Sequence, residues 1–191
     1  VPVMEARTLP VSVPGQRLFH ALKDRLLAGG GRLTLSGRVS ALEWREGRVT
    51  GALIAAAAHG RPYPIPADAV ILATGGLYGG GLESDYKGNV REMIAGLPVA
   101  HVPPVEDWFG EPLLSGRPQP IHRVGVLTDQ QLRPLGDDGA PVAENLYAAG
   151  HLLAGASPVI EGCAEGIDLS TGAAAAQHAV AALREHHGAR R

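Results

Sequence analysis

Leu18, Phe19, Leu22, Leu26 and Leu27 recur at the three-and-four spacing of an amphipathic helix, and Gly29, Gly30 and Gly31 follow at once as a stop. Before it, residues 4–13 are bracketed by proline and read as extended. After it, residues 32–35 alternate as a strand. Residues 38–44 and 48–57 then read as two strands joined by the turn Arg45, Glu46, Gly47. Pro62, Pro64 and Pro66 predict a stiff loop. The run Val70, Ile71, Leu72, Ala73 that follows is bounded by turn signals and predicts a strand buried on both faces, as in a parallel sheet. It ends in Thr74, Gly75 and Gly76 and passes into a glycine-rich loop over residues 77–81, to which Gly79, Gly80 and Gly81 belong.

The second half is less regular. The pattern predicts a helix over 86–96 and a short strand over 124–127. A turn or hairpin follows over 128–133, then an exposed loop over 136–140. Residues 97–124 carry Pro103, Pro104, Pro112, Pro118 and Pro120 and differ in composition from both flanks, so they read as a segment that leaves the main sheet and returns. Asn145 to Ala149 has the Leu, Tyr and Ala of a short buried strand, and Gly150 ends it. A small-residue helix then runs from about Ile167 to Leu183, with a frayed, charged tail beyond it. The order is helix, strand, β-meander, buried strand, excursion, buried strand, helix. That is an α/β class with α+β elements, a mostly parallel sheet carrying a meander and a small inserted segment.

Composition narrows the function classes. With 191 residues the chain is long enough for one domain that buries about 70% of its unfolded surface. The formal net charge is -2 and basic residues alternate with acidic ones, so there is no electrostatic footprint for nucleic acid. No apolar run approaches the roughly 20 residues of a membrane helix. Cys163 is the single cysteine, which excludes an internal disulfide and a thiolate metal cluster and makes the cytoplasm the default compartment. No His spacing supports a metal site, so none is expected.

Free-standing catalytic signatures are absent: there is no GxSxG, GxxxxGK[ST], HExxH, CxxC or GxGxxG. What remains is a strand feeding a glycine-punctuated helix start over 144–176. Such a junction presents free backbone N–H groups and the positive end of a helix dipole to an electron-rich ligand edge. His122 beside Arg123, where the excursion rejoins the sheet, suits an anionic substrate or general acid–base work. A solvated surface pair is the competing reading. His101, Arg91 and Arg117 are further candidates of the same kind. For Cys163, Trp44 and Trp108 packing is the expected role.

The segments GGLYGGGLES, REMIAGLPV, EDWFGEP, VGVLTDQQLRPL and ENLYAAGHLLAGASPVIEGCAEGI, in that order, resemble the flavoproteins of the fumarate reductase and succinate dehydrogenase type. Within them the likeness is to the B-subunit family of anaerobic glycerol-3-phosphate dehydrogenases and covers about residues 14–176. The resemblance implies a flavin, FAD or FMN. It places Thr74, Gly75 and Gly76 beside the adenosine-diphosphate part, Ala149 and Gly150 beneath the flavin, and the backbone of Gly162, Cys163, Gly166 and Ile167 at the pyrimidine edge.

It also implies that residues 1–96 and 125–191 form the carboxy-terminal half of a flavin-binding domain with 97–124 as a cap-like insert. The amino-terminal GxGxxG half lies outside this sequence, and the chain alone is expected to be inactive. The implied reaction is oxidation of glycerol 3-phosphate to dihydroxyacetone phosphate, with electrons passed to a quinone-linked acceptor. Catalytic and iron–sulfur partner subunits would hold the protein peripherally at the inner membrane face, and an electron-relay role is favoured over direct catalysis. A fumarate reductase or enone-forming desaturase, or an assembly domain without flavin, are the alternatives. His151 departs from the pattern, because many relatives carry Glu at that position.

Overall fold

The computed structural model describes residues 13–56, 60–110, 119–157 and 161–188, and separates two compact units, Val1–Gly37 and Arg38–Arg191. In the first unit the expected helix is α1, Val13–Ala28. It stops where the glycines say it should. Gly29 N–H donates to Arg25 O, Gly30 N–H to Leu27 O and Gly31 N–H to Leu26 O, and Gly30 takes the left-handed φ of +81° that closes such a cap. The strand expected over 32–35 is not formed, and Ser36 turns the chain at φ +63°. The extended reading of residues 4–12 lies outside the described residues, as does Arg117.

In the second unit, β1 (Gly37–Arg45) and β2 (Arg48–Ala56) are hydrogen-bonded neighbours, joined by a turn with Glu46 and Gly47 both at positive φ. The proline-rich stretch is a strand, not a loop. β3, Tyr63–Pro66, pairs antiparallel with β2 in the register Gly51↔Pro66 to Ile54↔Tyr63. It is the edge strand, where alternate N–H groups point away from the partner. Pro64 and Pro66 share the outward parity, while the next odd-numbered residue, Ala67, donates to Thr50 O at 3.0 Å.

β4 (Val70–Leu72) and β7 (Leu146–Ala148) form a parallel pair, the parallel pairing among the described strands; the other described pairing registers are antiparallel. The described strands thus form three separate sheets, of which only β4–β7 is parallel, where the sequence predicts one mostly parallel sheet. Of this pair only β7 is buried on both faces. β4 leaves Ile71 37% exposed, because its side chain lines an open cavity. From β7, Leu146 and Ala148 enter a core with Leu42, Val49, Leu72, Leu82, Val126 and Leu152. Tyr147 and Ala149 meet Ala175 and Ala179, one turn apart on α2, Ala164–Gly188. Small side chains on that helix let it lie close to the strand. Its helical pattern runs through Gly188, so the tail expected to fray from residue 184 continues the helix.

No helix forms over 86–96. The Asp85 carboxylate accepts Lys87 N–H, Asn89 N–H and Asn89 Nδ2, which turns β5 (Leu82–Ser84) into β6 (Val90–Glu92). These bonds hold the Asp85 carboxyl below its ordinary range, the Asn89 side chain contributing most. The buried Glu92 carboxylate then takes the N–H groups of Ile94, Ala95 and Leu97 at 2.9, 2.7 and 3.3 Å. Both turns end on glycines at φ +85° and +66°, Gly88 and Gly96. Leu97, Ile121 and Val124 reach the same core as the strands, with Trp108 packed against it and its Nε1 donating to Pro103 O. Trp44, by contrast, is 41% exposed on β1. The strand expected over 124–127 reduces to single bridges, Ala100↔Gly125 and Val126↔Leu153.

One buried side chain joins the meander to the parallel pair. Asn145 Nδ2 donates to Val49 O at 2.6 Å and Asp68 O at 2.8 Å, its Oδ1 accepts Val49 N–H at 3.1 Å, and its own carbonyl accepts Val70 N–H. Replacing Asn145 by Leu leaves the Val49 N–H and two carbonyls buried and unpaired. It should cost about 3 kcal/mol, measured by chemical denaturation, with Asn145→Asp no better because a carboxylate cannot donate.

The 128–133 turn is organised by Asp129. Its Oδ1 accepts Gln131 and Arg133 N–H at 2.9 Å, and its Oδ2 meets the Arg133 guanidinium at 2.7 Å. Burial pushes the Asp129 carboxyl up, but these bonds outweigh it and the net displacement is downward from 3.8. A lowered folded pKa stabilises above the unfolded value, and the contribution is lost as pH falls through the folded one. Asp129→Asn should therefore lower the thermal midpoint at pH 7, by an effect of about 1 kcal/mol, and the gap to the parent should close below about pH 3.8, followed by calorimetry.

Candidate functional site

The carboxy-terminal ends of β4 and β7 point the same way, and in parallel α/β sheets this is the edge where ligands bind. A cavity of about 730 Å³ opens there. Ile71, Leu77, Ile121, Val124 and Ala149 make its walls largely apolar, and Thr74, Tyr78, His122, His151 and Asp168 supply the polar groups. An apolar recess with a few convergent polar groups is the usual form of a cofactor site.

Backbone approach explains the glycines. After β4, Gly75 has φ +76°, and a Cβ there would stand 2.9 Å from the Gly79 Cα. At Gly76 a Cβ would stand 2.7 Å from the His151 carbonyl oxygen, so the two strand ends meet only because residue 76 has no side chain. The Gly76 carbonyl in turn accepts N–H groups from Gly79, Gly80 and Leu82, which folds the glycine loop into a closed turn over the core. Gly150 is constrained twice, by a φ of +71° and by Asp168, whose Oδ1 would lie 2.5 Å from an added Cβ.

Polar atoms left without a protein partner test whether this cavity fits a ligand. Thr74 Oγ1 and His122 Nδ1 are both buried and unpaired, and both residues line it. Buried polar groups are nearly always satisfied. A ligand with donors and acceptors along its length would satisfy them, as a flavin nucleotide has. His122 Nε2 shares a hydrogen bond of 3.3 Å with Tyr78 Oη, edge to face, across the mouth between the glycine loop and the turn Pro120–Arg123.

Of the residues expected at a cofactor, Thr74, Gly75, Gly76, Ala149 and Gly150 come together around this cavity, and His122 joins them. Arg123 does not line it. Its side chain is exposed, and its carbonyl accepts Gly155 N–H. Gly162, Cys163, Gly166 and Ile167 also lie outside the lining. Ile167 N–H is already committed to Cys163 O, so the free amides of the helix start are those before it. The Gly150 amide is likewise taken, by Thr171 Oγ1 at 2.8 Å, and that hydroxyl donates to Ile167 O at 2.6 Å. Cys163, expected to pack, is exposed, because it precedes the first turn of α2 and its chain there does not enter the core. Among the described residues no group of three His, Cys, Asp or Glu is placed to hold a metal ion.

The pair His151 and Asp168 is not foreseen from the sequence. His151 Nδ1 lies 2.9 Å from Asp168 Oδ1, joining the residue after Gly150 to the second turn of α2. Seventeen positions separate them, so no local pattern announces the contact. The one signal is the departure itself, a histidine where the resemblance implies an acid.

Gly150→Ala should cost about 2 kcal/mol, since it adds both left-handed strain and the clash with Asp168. Asp168→Ala in the same chain should recover the clash component, so a double-mutant cycle in urea gives less than the sum of the single losses.

Comparison with known proteins places the chain in a family. The FAD binding domain family matches residues 1–167. The chain is similar to the B subunit of the anaerobic glycerol-3-phosphate dehydrogenase of Yersinia pseudotuberculosis, 33% identical over 182 residues, which are 95% of this chain and 41% of the relative. The corresponding B subunit of Vibrio vulnificus is 35% identical over 177 residues, 92% of this chain and 39% of the relative. The probable B subunit of Halobacterium salinarum is 34% identical over 183 residues, 96% and 42%. The chain thus spans about two fifths of the length of the curated relatives it matches. No solved structure gives a significant match. The family's cofactor decides between the two flavins that the sequence left open, in favour of FAD. By the match over residues 1–167, the chain belongs to the FAD binding domain family of flavoproteins.

Proposed function

We propose that this chain forms the cofactor-facing part of a flavin-dependent dehydrogenase component that serves the oxidation of glycerol 3-phosphate to dihydroxyacetone phosphate and relays the electrons. The observation that carries the reading is the cavity at the ends of β4 and β7, with its glycine approaches and its unpaired Thr74 Oγ1. The names of the relatives supply the substrate. FAD, when bound, supplies a hydride acceptor.

Thr74, Gly75 and Gly76 hold the adenosine-diphosphate part, where absent side chains let the backbone come close. Ala149 and Gly150 form the floor under the ring system. The helix start at Gly162, Cys163 and Gly166 turns its free amides toward the pyrimidine end and favours negative charge there; Ile167 contributes its buried side chain rather than its amide. His122 takes part in proton handling from the wall facing the glycine loop. Arg123 remains a substrate contact only in an assembly that brings an anion to its exposed side. The cap expected over 97–124 is carried, among the described residues, by 97–110 and 119–124, and the sequence that the relatives have beyond the matched region supplies the remaining half of the binding site. Partner subunits, one catalytic and one carrying iron–sulfur clusters, complete the route to a quinone-linked acceptor at the inner face of the membrane.

The relay role is favoured over direct oxidation by a second observation. Among the described residues no Lys or Arg lines the cavity, so a doubly charged phosphate monoester would find no side-chain cation there. The full-length protein should show flavin absorption. Its flavin should be bleached by glycerol 3-phosphate in anaerobic stopped-flow only when the partner subunits are present. Bleaching of the lone protein at turnover rate would overturn the relay assignment, and a colourless protein that takes up no FAD would overturn the flavin reading itself.

A further inference from the structure

The cavity contains one polar device that the proposed cofactor contacts leave unused. His151 lies in the short turn Gly150–Leu152 at the end of β7, and its main chain is held from two sides. Gly76 comes so close that its missing Cβ would stand 2.7 Å from the His151 carbonyl, and Gly150 accommodates the Asp168 carboxylate. The imidazole is then fixed by its 2.9 Å bond from Nδ1 to Asp168 Oδ1. A carboxylate only accepts, so Nδ1 carries the proton and Nε2 is the atom left to act. No described residue pairs with Nε2, and the His151 side chain, 27% exposed, faces a cavity whose walls are otherwise mainly apolar. The other titratable groups lining the cavity are Asp168, His122 and Tyr78, of which the last two are paired with each other.

We propose that His151 is a ligand-contacting residue of the cavity and that Asp168 is its positioning residue. Together they present one imidazole nitrogen to an anionic dinucleotide and make its affinity depend on pH. Neutral His151 accepts a hydrogen bond from a ligand hydroxyl through Nε2. Once protonated it donates from Nε2 and adds a positive charge beside a ligand that carries two negative ones. The lining has no described Lys or Arg, and His122, its other imidazole, has Nε2 on Tyr78, so His151 is the imidazole whose Nε2 has no described partner. Because the protonated ring binds the ligand better, binding takes up protons.

The inference rests on the reading of this cavity as the flavin site, and the test separates the two. FAD affinity of the full-length protein is measured by fluorescence quenching between about pH 5.5 and 8. The parent should bind roughly tenfold more tightly at the acid end, a change equivalent to one unit charge acting at partial exposure. His151→Gln, neutral throughout, should bind more weakly and lose the pH dependence. Asp168→Asn should keep the Nδ1–H acceptor but weaken the acid-end gain.

A second measurement does not depend on any variant folding. The ring nitrogens of His151 in the labelled parent should show the Nδ1–H form without ligand, and a shift of Nε2 on adding FAD. His151→Gln with parental affinity and pH dependence, or an Nε2 signal unmoved by bound FAD, overturns the inference and leaves the flavin reading standing. A parent that takes up no FAD at any pH overturns both.

Discussion

The second unit hangs from the buried amide of Asn145. Its side chain stands in for a missing strand, giving the Val49 backbone both a donor and an acceptor and taking Asp68 O as well. Its own carbonyl starts the β4–β7 ladder by accepting Val70 N–H. Asn145 thereby adds buried polar bonds to the apolar packing of Leu42 and Val49 on Leu146 that joins meander and parallel pair. Three positions later the same strand ends, and five positions later it reaches Gly150, about 17 Å on at extended rise. The anchor and the floor of the cavity are two ends of one rigid segment.

β7 can serve as that segment because both its faces are covered. Leu146 and Ala148 fill the core under the meander, while Tyr147 and Ala149 meet the alanines of α2. Tyr147 keeps its hydroxyl satisfied on Glu144 O, and burial holds its proton on more firmly than in water. The free edge of β7 is also closed: Ala148 N–H donates to the carbonyl of Leu132, a non-glycine residue held at φ +64°. Such a conformation costs on the order of 1 kcal/mol or more and persists where neighbours over-determine it. Here the Asp129 cap and the packing of Leu132 on the second core do so.

The parts of this arrangement visible in the sequence are those set by short-range rules. The run VIL and the stretch LYA gave their strands because continuous apolar residues have few other stable places, and three consecutive glycines gave the end of α1. The proline stretch misled because a sequence does not say which N–H groups an edge strand leaves outward. Residues 86–96 misled because helical spacing competes there with two carboxylates, Asp85 and Glu92, that capture backbone amides over two to five positions. The cluster of Thr74, Gly76, Ala149 and Gly150 was legible through the resemblance. Its neighbour His151 with Asp168 was not, since nothing local couples residues 151 and 168.

The cavity's electrostatics follow from the same geometry. Among the described residues side-chain cations are absent from its lining, and the amides of Gly150 and Ile167 are already spent on Thr171 and Cys163. Among the described residues, positive potential comes from the free amides at the start of α2, which lie outside the lining, and from the imidazoles of His122 and His151. The first is fixed in sign and the second changes with pH, and the Asp168 carboxylate that orients His151 also subtracts from the field. A ligand of two negative charges bound by this chain alone would therefore be held mainly by backbone dipoles and by apolar contact. Residues 75, 76 and 150 carry no side chains because the Gly79 Cα, the His151 carbonyl and the Asp168 carboxylate stand where a Cβ would be.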